Sequence, residues 1–171
     1  MEKKINSPVF VGLLISLVLI VVSIVSYFTG MYKQSWMQYV GYAILAIGIY
    51  WSVANHGKER DSQVSFGNLF AFGFKVTAVV TCLIILYTIL SGFLFPEIKE
   101  KIIELSREKA LQRPGVTEDQ VDQGMKMFEN HYTLFIVIGI IFFYLLLGAI
   151  ISLLAAAITK KKPQSPFETQ P

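Results

Sequence analysis

Four apolar runs, each about as long as a bilayer is thick, constrain this chain more than any other feature. They are Pro8 to Thr29, Met37 to Ala54, about Phe70 to Phe95, and Thr133 to Thr159. Only the third contains a charge, Lys75. A helix rises ~1.5 Å per residue, so ~20 apolar residues cross a ~30 Å hydrocarbon core. No water reaches that core, so a spanning segment must pair its own backbone N–H and C=O groups. Strands of a membrane barrel would alternate polar and apolar residues with period two. These runs are apolar on every face instead. The expected fold is all-α: a four-helix transmembrane bundle forming one membrane domain over residues 1–159. Composition agrees, with 54% apolar and 16% charged residues against ~25% charged in soluble domains.

Lys3 and Lys4 precede the first run as they would a signal peptide. The run is too long for a signal core of ~7–15 residues, and no A-x-A-like site follows it. It reads as a retained anchor. Trp36 and Trp51 bracket the second run about 22 Å apart, and Tyr27, Tyr32, Tyr39, Tyr50 and Tyr132 also sit near run ends. Such rings favour the headgroup level and mark depth. With the N-terminus inside, the inner segments carry seven basic residues: Lys3, Lys4, Lys58, Arg60 and Lys160 to Lys162. The outer ones also carry seven, Lys33 and six in the long third connection. Basic residues abut the membrane at the first and last runs, which favours both termini in the cytoplasm.

The third connection, residues 96–132, has a pattern of its own. Ile98, Ile102 and Leu105 recur at helical spacing, Pro114-Gly115 breaks the chain, and Thr117 to Gln120 reads as a capping box. Val121, Met125 and Phe128 then form an apolar stripe. A helical hairpin between spans three and four is expected. It holds eight acidic and six basic residues, which argues against strong attraction to anionic lipid. The tail, 160–171, has three prolines and few apolar residues and is expected to be disordered.

Lys75 is the one candidate functional charge. An ionisable group in a membrane helix is by default a functional hypothesis. The competing reading, which weighs more here, is an anchor whose long stem carries the ammonium to the headgroups. Phe66, Phe70 and Phe74 share one helical face, and Gly67 and Ala71 form a small-x-x-x-small pair. Counted from Phe66, the third helix is over-long, so its first turn is expected at the interface. Gly148, Ser152 and Ala156 make a ridge in the fourth run, with Gly12, Ser16, Gly41 and Gly48 in the first two. That ridge is expected to pack within the protomer. Cys82 reads as a small buried hydrophobe. His56 and His131 stand alone, without Cys or carboxylate at ligand spacing. No Walker loop, G-x-S-x-G elbow or H-E-x-x-H pair is present. No catalytic, cofactor-binding or metal-binding residue is therefore assigned, and no cofactor is expected.

The charged loop His56 to Asp61, then Val64-Ser65-Phe66-Gly67 with Phe70 and Gly73, open the third span. Residues 118–129, EDQVDQGMKMFE, precede a last span containing Gly148-Ala149-Ile150-Ile151-Ser152-Leu153-Leu154 and a lysine end. This combination resembles the bacterial four-span membrane family known as domain of unknown function 4199. The resemblance implies a four-helix inner-membrane protein and brings no activity with it. The functional expectation is a non-enzymatic accessory or assembly subunit of a membrane system. The alternative is small-molecule, ion or lipid handling by a homo-oligomer around Lys75. Expected partners are membrane lipids and other membrane proteins or a second copy. Nucleic acid is excluded by a net charge of only +3 with no basic stripe.

Overall fold

The computed structural model describes residues 7–34, 36–60 and 64–159. Lys3, Lys4 and Lys160 to Lys162, on which the orientation leaned, lie outside the described residues, as does the tail 160–171. The described residues form six α-helices and one turn of 3₁₀ helix, Met31–Lys33, with no strand. The helices are α1 Pro8–Thr29, α2 Met37–Glu59, α3 Phe66–Leu94, α4 Pro96–Leu111, α5 Glu118–Asn130 and α6 Tyr132–Ile158. Four of them, α1, α2, α3 and α6, are long and apolar enough to cross a membrane. The chain is an all-α membrane protein.

Local chemistry sets the helix ends. Ser7 caps α1 through its side chain, Pro8 occupies the first turn, and Gly30 ends the helix at φ 74°. That left-handed conformation carries little cost only for glycine. The second helix continues past Ala54 to Glu59, where Asn55 Nδ2 donates to the Glu59 carboxylate at 3.0 Å, one turn on. Ser65 Oγ accepts the Asn68 N–H at 3.3 Å, the contact of an N-cap serine, and α3 then runs unbroken for 29 residues. Phe95 leaves helical geometry, at φ −134° and ψ 74°, because the residue before a proline disfavours the α region. Pro96 then opens α4.

The chain divides into two compact units, residues 1–83 with 143–171, and residues 84–142. In the first unit each helix buries residues one turn apart. These are Val11, Ile15 and Leu19 on α1, and Leu45, Ile49 and Val53 on α2. On α3 they are Leu69, Phe72, Val76 and Val80, and on α6 Ser152, Ala155 and Ala156. Lipid tails are as apolar as leucine, so helices associate through van der Waals contact, and small residues permit it. A Cβ built on Gly12 would lie 2.6 Å from Val79 Cγ1, one on Gly48 2.8 Å from Ile15, and one on Gly73 2.8 Å from Val53. On Gly148 it would meet the Thr77 side chain, 2.8 Å from Cβ. The α6 ridge thus packs inside the chain, as expected. Gly67 and Gly41 have nothing within 4 Å, and Ala71 is exposed, so the Gly67/Ala71 pair is not a packing contact.

Four buried hydroxyls in this unit turn back on their own helices, while Ser26 Oγ and Ser152 Oγ have no hydrogen-bond partner among the described residues. Ser16 donates to Gly12 O at 2.7 Å, Ser52 to Ile49 O at 2.7 Å, Thr77 to Gly73 O at 3.0 Å and Thr81 to Thr77 O at 2.9 Å. Satisfied in this way, a hydroxyl enters an apolar interior without an orphaned donor. Cys82 is exposed, against the expectation of a buried packing residue. A thiol is apolar enough to face lipid on a span.

The second unit packs differently. Of its described residues only Ile84 and Val121 are buried. The turn between α4 and α5 passes through Gly115 at φ 84°. Thr117 and Gln120 form the expected capping box: Thr117 Oγ1 accepts the Gln120 N–H at 3.4 Å, and Gln120 Oε1 accepts the Thr117 N–H at 3.1 Å. An exposed ion pair, Arg107 to Asp122 at 2.6 Å, ties the two helices. Phe128 packs edge-on to Tyr132 at 5.5 Å, and the Lys99 ammonium lies 5.5 Å from the Tyr132 ring centroid.

Candidate anion-binding cleft

Lys75 lies on the third turn of α3 with its side chain exposed. Asn68 and Lys75 are seven residues apart, so they share a helical face. On α2, His56 and Arg60 are four apart and likewise share one. The two faces meet around a cleft of about 380 Å³, which the start of α1 closes with Ser7 and Pro8. All of these residues belong to the first unit. The volume lies within the ~300–1,000 Å³ common for small-ligand sites.

His56 is the unusual member. It is only 5% exposed, and its ring stacks on Phe72 with centroids 3.9 Å apart and planes 14° apart. The stack fixes the plane of the imidazole. Neither ring nitrogen has a hydrogen-bond partner among the described residues. Leaving a buried donor or acceptor unsatisfied costs about 1–3 kcal/mol, and native structures rarely tolerate it without a reason.

Around His56 the cleft presents Arg60, Lys75 and the Asn68 amide, and among the described residues no carboxylate lines it. The nearby Glu59 carboxylate instead accepts the Asn55 amide. The amino end of α1 adds the positive end of a helix dipole at Ser7 and Pro8. Chemically the site gathers donors and positive charge, the requirements for holding an oxyanion.

A second cleft, of about 300 Å³, lies between α1 and α2 and is almost wholly apolar. Val11, Leu14 and Val18 form one wall, and Ile44, Ile47 and Trp51 the other.

Sequence reasoning singled out Lys75 but not its neighbours. On sequence His56 is a histidine without a metal-ligand partner, and Arg60 counts only toward topology and the charged loop 56–61. The missed signal was the four-residue spacing of His56 and Arg60 beside the seven-residue spacing of Asn68 and Lys75. The Phe66, Phe70 and Phe74 stripe takes no part. Phe70 and Phe74 stack on each other at 5.9 Å, while Phe66 and Phe74 are exposed. The aromatic residue at the cleft is Phe72, off that stripe.

No curated protein and no solved structure matches this chain. A family match covers residues 11–161, which include both clefts except for Ser7 and Pro8, together with the hairpin and all of α6. That family is described as protein of unknown function (DUF4199), and the chain belongs to it.

Proposed function

We propose that this is a multi-pass protein of the bacterial inner membrane, with both termini cytoplasmic, that serves as a non-enzymatic accessory or assembly subunit. One observation carries the reading. The last third of α6 buries Gly148, Ser152, Ala155 and Ala156, whereas from Tyr132 to Leu147 the same helix buries nothing among the described residues. Along that length of about 24 Å, Leu134, Ile138 and Ile141 are exposed. In lipid, close contact between helices is what drives association, and this stretch has contact left to give. The partner is another membrane protein that lays a helix along it.

Photo-crosslinking residues introduced at Leu134 and Ile138 in native membranes test this. One defined polypeptide should be captured at both positions and not at exposed Val21 of α1. It should also co-purify at fixed stoichiometry in mild detergent. Lipid adducts alone, with the chain migrating as a monomer, would count against the reading. Labelling of a cysteine introduced at Ser106 from outside the cell tests the orientation.

The alternative, ion or lipid handling by a homo-oligomer, is favoured by a separate observation, the basic cleft that contains Lys75.

A further inference from the structure

We propose that this cleft is a binding site for a phosphate group, with Arg60, Lys75 and the Asn68 amide as its donors and His56 as its floor. Residues of three helices line the site. His56 is stacked on Phe72 and buried, with both nitrogens lacking a partner among the described residues. Both nitrogens are buried in this packing, so an oxyanion gains the imidazole as a partner only when a side chain at the cleft floor shifts. Arg60 and Lys75 are exposed at the rim. A guanidinium matches two phosphate oxygens at once, and an ammonium supplies a point charge.

The location indicates where the phosphate comes from. The first residues of α1, the last of α2 and the first of α3 all lie at span ends, so the cleft sits at a membrane–water boundary. Basic pockets between membrane helices at that depth suit lipid headgroups. The apolar cleft between Val11–Val18 and Ile44–Trp51 lies on two of the same helices and suits an acyl chain. A free phosphate has the same anionic chemistry, without any use for the apolar cleft.

The test uses the purified full-length chain in detergent, titrated separately with phosphatidylglycerol, phosphatidylcholine and potassium phosphate, with bound ligand counted by native mass spectrometry. Wild type should retain phosphatidylglycerol in preference to phosphatidylcholine. The double variant Arg60→Gln with Lys75→Gln should weaken that retention about tenfold or more, since each change removes a charge-assisted contact. His56→Phe keeps the ring stack and should weaken binding several-fold without lowering the melting temperature. That separates a ligand contact from a folding role. Lys109→Gln in α4 should change nothing.

Failure of millimolar potassium phosphate to displace the lipid assigns the site to a headgroup, while displacement assigns it to the phosphate alone. Both outcomes keep the site. Binding by the double variant within twofold of wild type overturns it, as does a wild-type chain that retains neither phosphatidylglycerol nor phosphate. The purified chain needs no partner for this measurement, so a missing protein partner leaves the result intact.

Discussion

The two units of this chain are both helical, yet different forces hold them. Residues 1–83 with 143–171 interlock through glycine, serine and threonine, with neighbouring side chains so close to the glycine backbones that a single methyl group has no room. Residues 84–142 rely on caps, one buried valine, a rim ion pair and aromatic edges. The first pattern suits lipid, where only close contact distinguishes a helix from solvent. Within the second, the α4–α5 hairpin suits water, where caps and amphipathic stripes stabilise short helices, while its parts of α3 and α6 are apolar span segments. The contrast also separates their tolerance to change: volume is decisive in one unit, hydrogen bonding at helix ends in the other.

The largest effect that tests this contrast should come from added volume. Gly148→Leu drives a side chain into Thr77 and should destabilise by about 1–3 kcal/mol or more, read as a loss of stability in SDS titration. The matching change in the other unit is Gly124→Leu, at an exposed position where an added Cβ has nothing within 4 Å. It should be neutral or stabilising by roughly 0.5–1 kcal/mol through helix propensity. Equal damage at both positions would break the comparison.

Coupling gives the next test. Gly148→Ala should be less harmful in a Thr77→Ala background than in wild type, because the alanine removes the atoms nearest the added Cβ. Interaction energies between touching residues run about 0.5–3 kcal/mol, and a double-mutant cycle measures this one. Strict additivity would mean that the two helices relax apart.

In the hairpin, Thr117→Ala removes the cap of α5 and should cost about 1 kcal/mol. Hydrogen exchange should quicken at the first amides of α5 and leave α1 unchanged. Smallest of all, Asp122→Asn should cost only about 0.2–1 kcal/mol, since its ion pair is nearly half exposed, and the difference should shrink in high salt. A large, salt-independent loss there would show that the hairpin depends on that pair more than its exposure allows.

Much of the architecture was legible without coordinates. The α1 boundaries, the proline at the start of α4 and the capping box of α5 all depend on residues within a turn of one another. The span lengths depend only on hydropathy. Two boundaries were less accessible. The apolar run of α2 stops at Ala54, yet the helix continues to Glu59, because hydropathy marks the membrane and an Asn55–Glu59 bond extends the coil beyond it. The third helix is over-long on sequence as well, and its apolar run from about Phe70 leaves out the first turn of a single coil from Phe66 to Leu94.

Sequence by itself determined that this protein is helical, that four of its helices match a bilayer, and that a capped hairpin separates the last two. Those outcomes follow from backbone pairing in lipid and from chemistry between near neighbours. Tertiary structure alone decided which small residues touch, choosing Gly73 and Gly148 and leaving Gly67 open. It also gathered His56, Arg60, Asn68 and Lys75 around one cleft. Small residues look alike in a string of letters, and only the rotation of each helix about its axis selects the face that meets a neighbour.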